Sequence, residues 1–421
     1  MQSSIKLRLT VMNFLQFAVW GAYLTSMGRY LGTAGFGSEI GNFYAMQGLV
    51  SLFMPALMGI VADRWIPAQR LLGGCHMLAG MLMLGVFLYT QTDAPSYPSL
   101  FALYSLSVAF YMPTLALSNS VAYTSLDQAG LDLVKSFPPI RVFGTVGFIC
   151  TMIAVSLLGL EATSGQFAVS AIISLVLAVY AQTLPNCPTA PKGQSKSLVE
   201  ALGLRAFVLF KQRKMALFFI FSMLLGVSLQ ITNGFANPFI STFGEIPAYA
   251  DTFGVKYANI LISLSQLSET LCILLIPFAL RRFGIRRVML IAMVAWVLRF
   301  ALLGLGNPGS GVWLFLLSMI VYGVAFDFFN VSGSLFVDKE TDPSIRSSAQ
   351  GLFMIMTNGI GATLGSLGAQ AVINRFVYSQ SEATAILSGW TTSWYIFAGY
   401  AAVVAVLFAL LFRYNTATEA K

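Results

Sequence analysis

The feature that most constrains this chain is a series of apolar runs, each about as long as a helix must be to cross a bilayer, repeated from one end to the other. A helix gains about 1.5 Å per residue, so roughly 20 residues cross the ~30 Å hydrocarbon layer. Backbone amides inside lipid find no water, and a run of that length satisfies them by folding as a helix. Only 10% of the 421 residues are charged and 57% are apolar, against about 25% charged in soluble domains. A soluble globular protein is thereby excluded. Short joints carrying charge, Pro or Gly separate twelve expected spans, near 9–30, 39–62, 70–91, 99–124, 132–160, 166–184, 214–243, 255–280, 288–306, 312–338, 347–376 and 392–413. The expected fold class is an all-α polytopic membrane protein.

An even number of spans leaves both ends on one side, and the basic residues say which. Twenty of the 24 Lys and Arg fall at the N-terminus, the even-numbered joints and the C-terminus; Arg29, Lys256 and Arg375 lie toward the other face and Arg299 inside a span. By the positive-inside rule both termini are expected in the cytoplasm. The net charge of +8 is then a topology signal, and no nucleic-acid partner is needed to account for it. Cys75, Cys150, Cys187 and Cys272 are scattered singly, which suggests neither a disulfide framework nor a metal cluster. His76, the only histidine, opens a span near its charged end and reads as structural.

The longest polar joint divides the chain into an N-terminal six-helix bundle (1–184), a cytoplasmic linker (185–213) and a C-terminal six-helix bundle (214–421). Within the joint, 198–210 has the spacing of an amphipathic surface helix. An internal repeat supports the division: Gly59 to Arg70, with Asp63-Arg64, follows span two, and Arg281-Arg282-Phe-Gly284-Ile-Arg286-Arg287 follows span eight. These joints resemble the signature of the major facilitator superfamily, although the glycine usual after the Asp-Arg pair is replaced by Trp65, Ile66 and Pro67. The resemblance implies that Asp63 and Arg64 form a conformational latch.

Polar residues inside the spans mark candidate chemistry, because a charge at the bilayer centre costs about 2.5–3.5 kcal/mol even on the mildest scales. In span eight, Gln266 and Glu269 are three residues apart and share a helix face, setting an amide beside an acid. In span five, Arg141, Thr145 and Phe148 recur at i, i+4 and i+7, giving a cation, a hydroxyl and a flat ring in one stripe. Two placements of Arg141 stay open. A helix starting near Asp132 puts it deep, after Pro138 and Pro139; one starting at Pro139 makes it a snorkelling end residue. In span seven, Gln230 and Asn233 can hold a ligand with mixed donor and acceptor edges, or serve as glue between helices. In span ten, Tyr322, Phe326 and Asn330 share a face, and Asp327 is a second intramembrane acid suited to taking up and releasing a proton. Span eleven carries Gln350, Thr357 and Asn358 among glycines that suggest close helix packing.

Taken together, FLQFAVWGAYLTSMGRY, FPPIRVFGTVGF, FSMLLGVSLQITNGFANPF, SLSQLSET, VAWVLRFAL and LSMIVYGVAFDFFNVSGSLFV are similar to the bacterial nucleoside:H+ symporters, a family of the major facilitator superfamily that includes broad nucleoside and xanthosine permeases. The resemblance runs over nearly the whole chain. It implies twelve helices in two six-helix halves, a nucleoside bound in a central cavity between them, and import coupled to a proton by alternating access across the bacterial inner membrane. The substrate contacts it implies are Arg141, Thr145, Phe148, Gln230, Asn233, Gln266, Glu269 and Phe326, to which the shared helix face adds Tyr322, with Glu269 or Asp327 carrying the proton. It also favours the deeper Arg141. On fold analogy Gln16 and Trp20 are candidate cavity residues. No cofactor or metal is implied, lipid is the surrounding partner, and a monomer is the expected unit. A sugar or drug carrier would reuse the same fold and is the alternative. An enzyme would need a catalytic constellation, and the lone His76 with scattered cysteines supplies none.

Overall fold

The computed structural model of the chain describes residues 2–189, 204–342 and 345–414. Every regular element among them is helical. Among the described residues nine helices are long and apolar enough to cross a membrane, and Gly165–Ala181 and Ala258–Ile273 are shorter apolar helices. With Gln2–Gly21 leading span one, the described elements account for twelve membrane-length runs in the expected order.

Three runs are broken where a continuous helix was expected. Span one ends as a helix at Gly21, turns through 22–26 and resumes as Met27–Thr33. Span two stops at Ser51 and restarts at Met54, and span eight stops at Ile273 and restarts at Ile276. The last two breaks share a cause: Pro55 and Pro277 occupy the first turns of the restarted segments. Proline has no N–H to continue the ladder, and its ring crowds the backbone carbonyl one turn earlier. At the joint between spans eight and nine the chain reverses through Gly284 at φ 75°, a left-handed conformation that glycine adopts without steric cost. The corresponding joint in the first half turns through Trp65 to Pro67 instead.

The chain forms two compact units, Met1–Tyr30 with Leu49–Leu202 and Leu31–Gly48 with Gly203–Lys421. Each is internally packed in the same way. In the first, span one packs on spans five and six, span three on spans four and six, and the lower part of span two on span four. In the second, span seven packs on spans eleven and twelve, span nine on spans ten and twelve, and span eight on span ten. Close backbone approach recurs at matching contacts. A Cβ on Gly147 would lie 2.2 Å from the Phe14 carbonyl oxygen, between spans five and one, and one on Gly365 would lie 2.0 Å from the Val227 carbonyl oxygen, between spans eleven and seven. Gly365 and Gly361 therefore fit the close-packing expectation for span eleven, whereas Gly351 and Gly368 face open space. Gln350 hydrogen-bonds Ser334 on span ten, so it joins two helices.

Most aromatic residues are packing. Phe218 meets the rings of Phe219, Phe329, Phe336 and Phe353, and Trp394 meets those of Phe239, Phe300 and Trp390. His76 is not at a span end: it is wholly buried inside Ala68–Tyr89. Its Nε2 faces the Gln16 side-chain oxygen at 2.8 Å and its Nδ1 the Ser174 hydroxyl at 3.0 Å, which ties spans one, three and six together. Of the expected surface helix at 198–210, residues 198–203 lie outside the described residues, and Leu204–Lys211 is a 3₁₀ helix.

Candidate substrate site

In the first unit, Arg141 lies eight residues after Leu133, where its helix starts, and Pro138 and Pro139 are inside that helix. This is the earlier of the two starts considered, and it carries Arg141 about 12 Å along the axis. The guanidinium carbon stands 4.0 Å from the centre of the Phe17 ring on span one. Phe148, on the same stripe, meets Trp20 edge to face at 6.4 Å, and Trp20 in turn meets Tyr111 at 6.0 Å. The Tyr111 hydroxyl donates to the Gln16 carbonyl at 2.9 Å. Gln16 itself is fully buried, its amide donating to Thr114 at 2.7 Å. It therefore braces the wall and exposes no surface of its own. Phe17 and Tyr111 were not legible as site residues, since one ring among so many aromatics carries no signal of its own. The structure thus groups Arg141, Thr145 and Phe148 on one helix face against an aromatic wall from spans one and four.

In the second unit the hub is Tyr322. Its ring stacks on Phe326 with centres 5.6 Å apart at 18°, its hydroxyl meets the Gln266 side chain, and it lies within electrostatic reach of Glu269 and Asp327. Four of the residues read from spans eight and ten are thereby joined around one ring. The two carboxyls are close enough to influence one another directly. Their surroundings differ: Glu269 is half-buried, while Asp327 is 5% exposed and its Oδ2 has no hydrogen-bond partner. Asn330 turns back on its own helix, donating to the Phe326 carbonyl at 3.1 Å.

On span seven, the Asn233 amide donates to the Gln230 side-chain oxygen at 2.9 Å. The bond uses one group of each half-buried carboxamide and leaves the Gln230 N–H₂ and the Asn233 oxygen as further donor and acceptor capacity. Asp63 and Arg64 form the end of Met54–Arg64. No group of three or more His, Cys, Asp or Glu among the described residues could hold a metal ion.

The second unit thus gathers a stacked aromatic pair, carboxamides and two carboxyls on spans seven, eight and ten. The family described as nucleoside H+ symporter matches residues 3–417. The chain belongs to this family. It is 49% identical to the xanthosine permease of Escherichia coli over 98% of this chain and 97% of that one, and 47% identical to the nucleoside permease NupG of the same organism with the same coverage. The crystal structure of the nucleoside transporter NupG superposes with a TM-score of 0.89 at 45% identity, covering 98% of this chain and 100% of that one. An auto-inhibited peptide transporter at 16% identity and a TM-score of 0.68 shares the fold alone. Family membership makes the chain a multi-pass membrane transporter with the major facilitator fold, and the family is one of permeases, not of enzymes.

Proposed function

We propose that this protein imports nucleosides across the bacterial inner membrane, each with a proton, by alternating access. The observation that carries the reading is the group around Tyr322, where an amide, a stacked aromatic pair and two neighbouring carboxyls share one place in the second unit. Gln230, Asn233 and Gln266 supply donors and acceptors for ribose hydroxyls and a base edge, Phe148 and Phe326 supply flat apolar faces, and Arg141 with Thr145 supplies a cation and a hydroxyl. Glu269, half-buried, contacts substrate. Asp327, buried with an unpartnered oxygen, carries the coupled proton. A buried acid in that position is cheaper neutral than charged, so proton uptake prepares it for a loaded state and proton release for the return.

The basic residues at the even-numbered joints support a cytoplasmic placement of both termini. The repeated packing supports the division into 1–184, a linker at 185–213, and 214–421. Asp63 and Arg64, at the end of a helix that begins at a break, act as a latch on one conformation. The working unit is a monomer in lipid.

The experiment is uptake of radiolabelled uridine and xanthosine into proteoliposomes with and without an inward proton gradient. Accumulation driven by the gradient, lost in Asp327→Asn with substrate binding retained, is the expected result. Equal uptake with and without the gradient would refute the coupling.

A further inference from the structure

Where span seven begins and span twelve ends, the second unit opens a cleft of about 510 Å³ that the transport scheme leaves unused. That is within the range of a small-ligand pocket. Its lining is of two kinds. Arg213, Lys214 and Arg413 supply cations, and Leu217, Leu410 and Leu411 supply apolar surface. Arg213 is the first residue of the span-seven helix and Leu411 the last of the span-twelve helix, so the cations stand at the level where lipid headgroups lie. Leu217 is one turn further along its helix, about 6 Å toward the hydrocarbon.

The three cations are not equally committed. Lys214 is bonded to Glu340 at the end of span ten, and its Nζ stands 5.5 Å from the centre of the Tyr414 ring. Arg213 and Arg413 are exposed and have no ion-pair partner among the described residues. The backbone that carries Arg413 is nevertheless held in place. Arg286 donates from Nε to the Phe412 carbonyl at 2.6 Å and from Nη2 to the Ala409 carbonyl at 2.7 Å, tying down the last turn of span twelve. Phe412 and Tyr414 both pack on the Phe336 ring, with centres 5.5 and 5.3 Å away. Arg413, between two anchored rings, is thereby set on the cleft.

We propose that this cleft binds an anionic phospholipid, with its phosphodiester shared by Arg213 and Arg413 and an acyl chain laid along Leu217, Leu410 and Leu411. A guanidinium presents a planar fork of donors that matches phosphate oxygens, and a basic pocket between helices at the membrane surface is suited to a lipid headgroup. Two arginines without a counter-ion select for an anion. Leu410 and Leu411, 65% and 46% exposed, select for hydrocarbon. A free phosphate meets the first requirement and not the second, and a zwitterionic lipid brings a cation of its own toward the arginines. Bound there, the lipid links the start of span seven to the segment that closes span twelve. The site shares no residue with the group around Tyr322 and is independent of the solute carried.

The test is lipid titration of the full-length protein in neutral detergent micelles, read by the unfolding temperature, with phosphatidylglycerol, phosphatidylcholine and inorganic phosphate as separate additions. The variants are Arg213→Gln and Arg413→Gln, singly and together, beside the pair Arg282→Gln with Arg287→Gln. Arg282 and Arg287 are exposed and do not line the cleft, so their replacement removes the same charge elsewhere. A basic residue near a membrane surface favours anionic lipid by about 5-fold, so the natural protein should prefer phosphatidylglycerol to phosphatidylcholine by about 30-fold. The double variant of the cleft should hold the two lipids about equally. Each single variant should lose about 5-fold, which decides the matter if the double variant does not fold. Equal affinity of the natural protein for the two lipids would overturn the inference, as would an equal loss in the Arg282 and Arg287 pair. An equal rise in unfolding temperature with inorganic phosphate, which needs the cations and no hydrocarbon, would overturn the lipid assignment too.

Discussion

The Arg141 guanidinium lies over the face of Phe17 with 4.0 Å from its carbon to the ring centre. That contact crosses from span five to span one, at a place where Gly147 brings the two backbones together. The ring attracts the cation and fixes the place of its guanidinium. Phe17→Leu keeps the bulk but removes the quadrupole, a loss of about 0.5–1 kcal/mol. The KM for uridine should rise about 2- to 5-fold with kcat unchanged. Uptake kinetics at fixed gradient measure it, and an unaltered KM would show that the ring does not position the cation.

Gln230 and Asn233 bond each other, so their contributions should not add. Each single alanine variant frees its partner to relax toward water or another helix, and each should weaken nucleoside binding. The double variant should lose less than the sum of the singles, with a coupling of about 0.5–1.5 kcal/mol. Binding titrations on the four proteins of the cycle measure this. Strict additivity would mean that the 2.9 Å bond is not maintained when substrate binds.

The glycines of span eleven should separate sharply under substitution. A Cβ at Gly365 would meet the Val227 carbonyl oxygen, a backbone atom that cannot rotate away, whereas Gly368 has nothing within 4 Å. Gly365→Ala should lower the unfolding temperature in detergent by several degrees through forced separation of spans seven and eleven. Gly368→Ala should leave it unchanged or raise it, since alanine favours a helix by about 1 kcal/mol over glycine. Similar melting of the two variants would contradict the packing.

Asp251, in the loop before span eight, and Lys256, at the mouth of that span, form an ion pair at 2.9 Å. The hydrogen bond from Lys256, and then its charge, hold the Asp251 carboxyl below the ordinary carboxylate value. A lowered value gives stability that is present above the unfolded carboxylate pKa of about 3.9 and lost as pH falls through the folded one. Because both side chains are well exposed, solvent screens the pair. Asp251→Asn should melt with the natural protein at pH 7, and a measurable drop would show that the loop is held more tightly than its exposure implies.

The order and number of the spans were legible because length and apolarity are set by the bilayer and owe nothing to tertiary detail. The breaks were less so. Pro55 and Pro277 are plain in the sequence, but run length dominates the reading of an apolar stretch, and the turn at 22–26 contains no proline at all. The residues around Tyr322 were found as helix-face pairs, Gln266 with Glu269 and Tyr322 with Phe326, since periodicity reports neighbours on one helix. Contacts between helices are invisible to it. The Phe17 ring beneath Arg141 and the Arg299 cation behind Tyr322 depend on which spans pack together, as does the burial of His76 against Gln16 and Ser174.

The proline breaks in spans two and eight have a mechanical meaning. A continuous helix resists bending because every turn is laced to the next. At 52–53 and 274–275 the lacing is already interrupted, in each case with a proline in the first turn of the segment that follows. Each of these spans is a pair of short rods meeting at a joint. A rod that ends at a joint can lean without dragging its continuation along, so a rocking cycle does not have to melt a turn of helix each time it runs.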